Sequence, residues 1–136
     1  MELNSITRDL AAIEQGAWVD EIPEMGELRL KVRGLGNADH QRMMGKLTTA
    51  VPRAKKLNGR VDPVEMDRVI ATCAHATLLL DWDGVTLNGE PVPYDKELAF
   101  RICMDPAKLD FVKAILWAAQ EVAEMKADAE KADAGN

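Results

Sequence analysis

The chain has 136 residues and a mass of 15.0 kDa, which fits one domain with a buried core. A hydrophobic fraction of 47% and a charged fraction of 29% are those of an ordinary soluble globular protein, and no run approaches the ~20 apolar residues of a membrane span. The net charge of −6 opposes general attraction to nucleic acid or an anionic membrane, although local patches can override the total. Cys73 and Cys103 fall inside helical patterns without framework spacing, so both are expected as reduced, buried thiols. The N-terminal residues have no basic segment and no apolar run, so no signal peptide is expected and the protein is expected inside the cell.

Ser5 to Gln15 reads as a short helix ending at Gly16. Trp18 to Ile22 and Leu28 to Arg33 then read as two strands joined through Pro23 to Gly26, with Leu28, Leu30 and Val32 alternating against Arg29, Lys31 and Arg33. Asn37 suits an N-cap, and His40, Met43, Met44, Leu47 and Val51 follow helical spacing until Pro52. Arg53 to Arg60 reads as a basic loop closed by Asn58-Gly59. Asp62, Pro63 and Glu65 form a strong helix start, with Glu65 placed to bond back to the cap. Met66, Val69, Ile70, Cys73, Thr77 and Leu80 continue that helix as one stripe.

A turn-rich connector around Asp81-Trp82-Asp83-Gly84 follows, then a tight hairpin about Asn88-Gly89 between 85–87 and 90–92. Asp95 caps a short helix to about Met104. Asp105-Pro106 opens a last helix that can run to about Lys131, with Leu109, Val112, Leu116, Ala119 and Ala123 on its inner face. Residues 126–136 are Ala-rich and acidic, a tail expected to fray beyond a single domain over 1–125.

Catalytic and metal chemistry find little support. His75 reads as a solvated surface residue and His40 as a first-turn residue, neither with a serine or cysteine partner in a nucleophile motif. Cys73 and His75, two apart on a helix, point to different faces and cannot chelate locally. The Asp81 segment opens like a calcium loop, but its glycine comes too early and no Glu stands at the twelfth position. Gly34-Leu35-Gly36 lacks the third glycine and the context of a dinucleotide loop.

Two features stand out. Arg42, Lys46, Arg53, Lys55, Lys56 and Arg60 follow one another with no acid among them, readable as a solvated loop, a surface for an acidic protein, or a phosphate contact. The last of these lacks interleaved aromatics. Trp117 lies off the apolar stripe of its helix, among Asp110, Lys113, Gln120, Glu121 and Glu124. It is either capped by another part of the fold, such as the N-terminal hairpin, or an exposed anchor for a partner. Trp18 and Trp82 are expected to pin the hairpin and the connector to the helical core.

Read in order, the segments 14–19, 32–37, 78–85 and 88–94, with Asp105-Pro106 opening an apolar helix, resemble the tail assembly chaperones of siphovirus-like phages and prophages. The resemblance implies a non-enzymatic protein without cofactors in the cytoplasm of a bacterial host. Such a protein coats the tape-measure protein, keeps it soluble, helps recruit tail-tube subunits and is lost from the finished virion. It also implies a frameshifted longer form in some members. No binding motif carries over, so the partner-binding expectation rests on the residues themselves: Arg53, Lys55, Lys56 and Arg60 for electrostatic contacts, Trp117, Val122 and Met125 for apolar ones. The methionines Met43, Met44, Met66, Met104 and Met125 are spread over the helices, suited to core packing or to an adaptable groove.

The expected fold is therefore mainly α with a small N-terminal β-hairpin, an α+β domain of four main helices. The alternatives are a small nucleic-acid-binding regulator using the basic 42–60 segment, or a structural tail-completion protein. Self-association remains open, and no membrane partner is expected.

Overall fold

The computed structural model describes residues 1–127 and is an α+β domain. Asp9 caps α1 (Leu10–Gln15) by accepting from the Ala12 N–H at 3.1 Å, and Gly16 ends it. The predicted hairpin follows as β1 (Ala17–Val19) and β2 (Arg29–Val32), antiparallel with Trp18 opposite Lys31. Its connection is longer than the predicted turn because Ile22 and Leu28 fold inward and are buried. Leu28, Leu30 and Val32 are buried while Arg29 is exposed, as the alternation requires.

Asn37 caps α2 (Ala38–Ala50), accepting from the His40 N–H at 2.9 Å. Where a basic loop is expected, a 3-10 turn at Arg53–Lys55 leads into a minimal hairpin, β3 (Lys56–Leu57) and β4 (Arg60–Val61). Its turn residues Asn58 and Gly59 both have positive φ, 52° and 77°, the backbone that two-residue hairpins need. Asp62 then caps α3 (Pro63–Cys73) by accepting from the Val64 N–H. Glu65 does not bond back to the cap; its carboxylate takes Lys55 at 3.0 Å instead.

The largest departure comes next. The helix expected to reach Leu80 ends at Cys73, widens into a π turn over Ala74–Leu78, and passes into β5 (Leu79–Asp83). The expected connector is thus the third strand of an antiparallel sheet of order β1-β2-β5. Without it, the β2 edge would leave backbone groups unpaired beside the core. Val32 lies opposite Leu79 and Lys31 opposite Asp81, so Leu80 is an extra, outward residue and the register shifts there. Asn88-Gly89 turns the predicted second hairpin, β6 (Thr86–Leu87) with β7 (Glu90–Pro91).

Asp95 caps α4 (Lys96–Met104), and Asp105 caps a 3-10 turn that feeds α5 (Leu109–Glu124). This last helix stops well short of Lys131. Met125 turns extended, and its carbonyl accepts the Asp9 N–H at 2.9 Å. The Ala127 N–H bonds the Thr7 carbonyl at 2.8 Å, and Lys126 bridges Arg8. The start of the expected frayed tail is therefore held, while 128–136, with the rest of the expected helix, lie outside the described residues.

Helix α5 is the centre of packing, touching the sheet, α1, α4 and the π turn. Four of its seven buried residues are alanines, which lets neighbouring backbones approach closely. Its buried face is consequently wider than the expected stripe. Ile115, Ala118 and Val122 are buried, whereas Leu109 is exposed. Cys103 joins this main core, while Cys73 is buried with Val51 and Val69 in a smaller cluster between α2 and α3.

Trp82 anchors β5 as expected, 4% exposed, its indole N–H donating to the Val92 carbonyl at 2.8 Å. Trp18 does not pin the hairpin to the core. It points outward from the sheet, with the Arg29 guanidinium 5.0 Å from its ring centroid.

Candidate recognition surfaces

Burial pushes the His40 imidazole below its ordinary range, favouring the neutral ring. His75, expected in solvent, has Nε2 2.9 Å from the Lys96 carbonyl oxygen and packs edge-on against Phe100. Burial pushes the Cys103 thiol up to about 12 and raises Cys73 as well, suppressing both thiolates. Among the described residues no three His, Cys, Asp or Glu side chains group as a metal ion would need.

The basic segment becomes a projecting element. Hairpin β3–β4 packs on the α2–α3 cluster through Val61 and carries Lys56 and Arg60, with Arg53 and Lys55 in the preceding turn. Lys55 is paired with Glu65, and Arg42 with Asp39 at 3.0 Å. Among the described residues Lys46, Arg53, Lys56 and Arg60 make no ion pair. At the tip stands Leu57, 75% exposed.

The expected apolar contacts divide. Val122 is wholly buried (0%) in the main core and cannot touch a partner. Its position one turn after Ala118 puts it on the face that α5 turns inward. Trp117, 37% exposed, lies between the two readings of its environment: it lines one recess together with residues 22–25 of the hairpin connection and borders a second. That recess, about 320 Å³, is lined by Trp18, Val19, Trp117 and Met125 and by the carboxylates of Asp20, Glu21 and Glu121. The basic hairpin and Trp117 thus stand on different elements and do not form one site.

A third surface escaped the sequence. Hairpin β6–β7 stands off α4 and the start of α5, leaving a groove of about 600 Å³. Leu28, Val85, Leu87, Leu98, Ile102 and Phe111 line it, and Leu87 is 66% exposed on its hairpin wall. Charges border the groove: Arg101, Asp110, and Asp105 paired with Lys108 at 2.8 Å. The hydrogen bond from Lys108, reinforced by the Ala107 N–H, holds the Asp105 carboxyl below its usual range. Leu98 and Ile102, one helical turn apart, could have signalled an apolar strip, but only the fold shows that β6–β7 leaves it uncovered.

The fold is a small α+β domain with an apolar groove and a basic segment set apart from the acids. A model of the YdaY prophage protein family matches residues 35–136, which is most of the chain, and the chain belongs to that family. The match begins just after β2, so α1 and the first two strands lie outside it. Searches of curated proteins and of solved structures returned no match.

Proposed function

We propose that this prophage-family protein is a non-catalytic tail assembly chaperone that holds a helical segment of the tape-measure protein and helps recruit tail-tube subunits. The observation that carries the proposal is the groove between β6–β7 and the α4–α5 corner, an open apolar channel with charges of both signs at its border. An amphipathic helix fits such a channel by laying its apolar stripe on the floor and its polar flanks on the rim. Membership of a prophage family supports a phage client, and the resemblance to tail assembly chaperones suggests the tape-measure protein as that client.

The test is co-expression with the long helical structural protein of the same prophage locus. The expected result is that the client stays soluble with the native chain and precipitates with Leu87→Glu, whose side chain is exposed and leaves the core intact. Equal client solubility with both chains, or without either, overturns the proposal. The basic hairpin favours a second reading, a nucleic-acid-binding regulator. Binding of a random duplex tighter than about micromolar at physiological salt would favour it, since ordinary non-specific binding is weaker.

A further inference from the structure

Of the chain's 17 lysines and arginines, six fall in 42–60, while none of its 23 acids does. The two halves of this segregation have complementary shapes as well as charges. One is a knob: Leu57 at the tip of β3–β4, flanked by Lys56 and Arg60, with Arg53 just before. The other is a socket: the recess with Trp18, Trp117 and Met125 as apolar walls and, among the described residues, Asp20, Glu21 and Glu121 as its charged lining. Arg29 lies over the Trp18 ring and near Asp83, Arg8 donates to the Ala123 carbonyl at 2.8 Å, and Lys31, opposite Trp18 across the sheet, does not line the recess.

Within one chain the knob sits on the α2–α3 cluster and the socket at the β1–α5 edge, and no ion pair joins them among the described residues. We infer that the basic β3–β4 hairpin of one copy docks, through Leu57, into the acid-rimmed Trp18–Trp117–Met125 socket of a second copy. Because knob and socket are different surfaces of the same chain, the contact is heterologous. Each bound copy still offers one free half, so association continues into a ring or a filament. The apolar tip supplies the desolvated centre, and the opposed charges supply orientation and salt dependence. This inference does not use the β6–β7 groove and stands or falls apart from the client.

The experiment is sedimentation velocity on the full chain over about 1 µM to 1 mM, where a contact below standard interface size is expected. Association is expected to grow with concentration and to weaken about tenfold or more when salt rises from about 0.1 M to 1 M. Leu57→Asp removes the knob, and Arg60→Glu is an independent knob variant. Glu121→Arg spoils the socket. All three positions are exposed, so the thermal transition is expected to persist. Each variant alone should be monomeric, while a mixture of Leu57→Asp with Glu121→Arg should form a 1:1 dimer and stop there, since only one knob and one socket remain. A native chain that stays monomeric throughout, variants that associate like the native chain, or a mixture that forms no dimer each overturns the inference.

Discussion

The Asn37 side-chain amide donates to the Thr77 carbonyl oxygen at 2.9 Å, joining the start of α2 to the π turn 40 residues later. The same amide donates to the Gly34 carbonyl at 3.0 Å, and its oxygen caps α2. A fully buried asparagine is tolerated here because every polar atom has a partner.

Replacing Asn37 by Ala removes the cap and the buried amide's donation to the Thr77 carbonyl, while the Gly34 carbonyl keeps the backbone N–H of residue 37. The expected cost is about 2–4 kcal/mol, read as a lower urea midpoint at unchanged slope. Asn37→Asp keeps the cap acceptor but loses both donations, so it should destabilise too.

Trp82 combines burial, an indole hydrogen bond and edge-on contacts to Tyr94 and Phe111 at 5.2 and 5.9 Å. Trp82→Ala should cost about 3–5 kcal/mol. Trp82→Phe, which keeps a ring but leaves the Val92 carbonyl without its donor, should cost about 1–3 kcal/mol. Thermal denaturation of the two variants separates packing from the hydrogen bond.

Gly84 and Gly89 share a φ of +82°, yet their surroundings differ. A Cβ at Gly89 meets open space, whereas one at Gly84 would come within 2.5 Å of the Glu27 carbonyl oxygen. Gly89→Ala should therefore cost only the left-handed backbone, about 1–2 kcal/mol. Gly84→Ala should cost a further ~1–3 kcal/mol as the β2–β5 end is forced apart. Equal denaturant midpoints for the two variants would refute the difference.

Folded Cys103 keeps its proton up to about 12, whereas the unfolded thiol releases it near 9.0. Between those values the folded state binds more protons, so stability falls as pH rises, while below about 9 this contribution is fully retained. The slope approaches about 1.4 kcal/mol per pH unit for one such group. Tyr94, also raised, chiefly by burial, acts in the same direction. Cys103→Ala should flatten the alkaline limb of unfolding free energy against pH, and the native thiols should resist alkylation at pH 8.

Local chemistry was readable in the sequence wherever a short motif decides the backbone. The caps at Asn37, Asp62 and Asp95, the Asn88-Gly89 hairpin and the alternation of β2 all stand where expected. Leu78-Leu79-Leu80 misled because three consecutive leucines suit a buried helix or a strand equally, and only the open edge of β2 decides between them. Val122 was misplaced because α5 is surrounded on more sides than one stripe can serve. Trp18 was misplaced because tryptophan implies burial by default, whereas its strand position turns it away from the core. The β6–β7 groove depends on two segments meeting, which no local pattern encodes.

The bonds from Asp9 to Met125 and from Ala127 to Thr7 also set a timetable for synthesis. Residues 7–9 emerge from the ribosome before their partners, which follow only after α5 is complete. Strand β2 likewise waits for β5, whose strands lie some fifty residues apart in the chain. Contacts of such long sequence separation delay completion of the fold until the later elements are made. Strands β1 and β2 can pair with each other early, but the free edge of β2 and the side chains of Leu30 and Val32 stay uncovered until β5 and α5 are made, an interval open to holding factors or to aggregation.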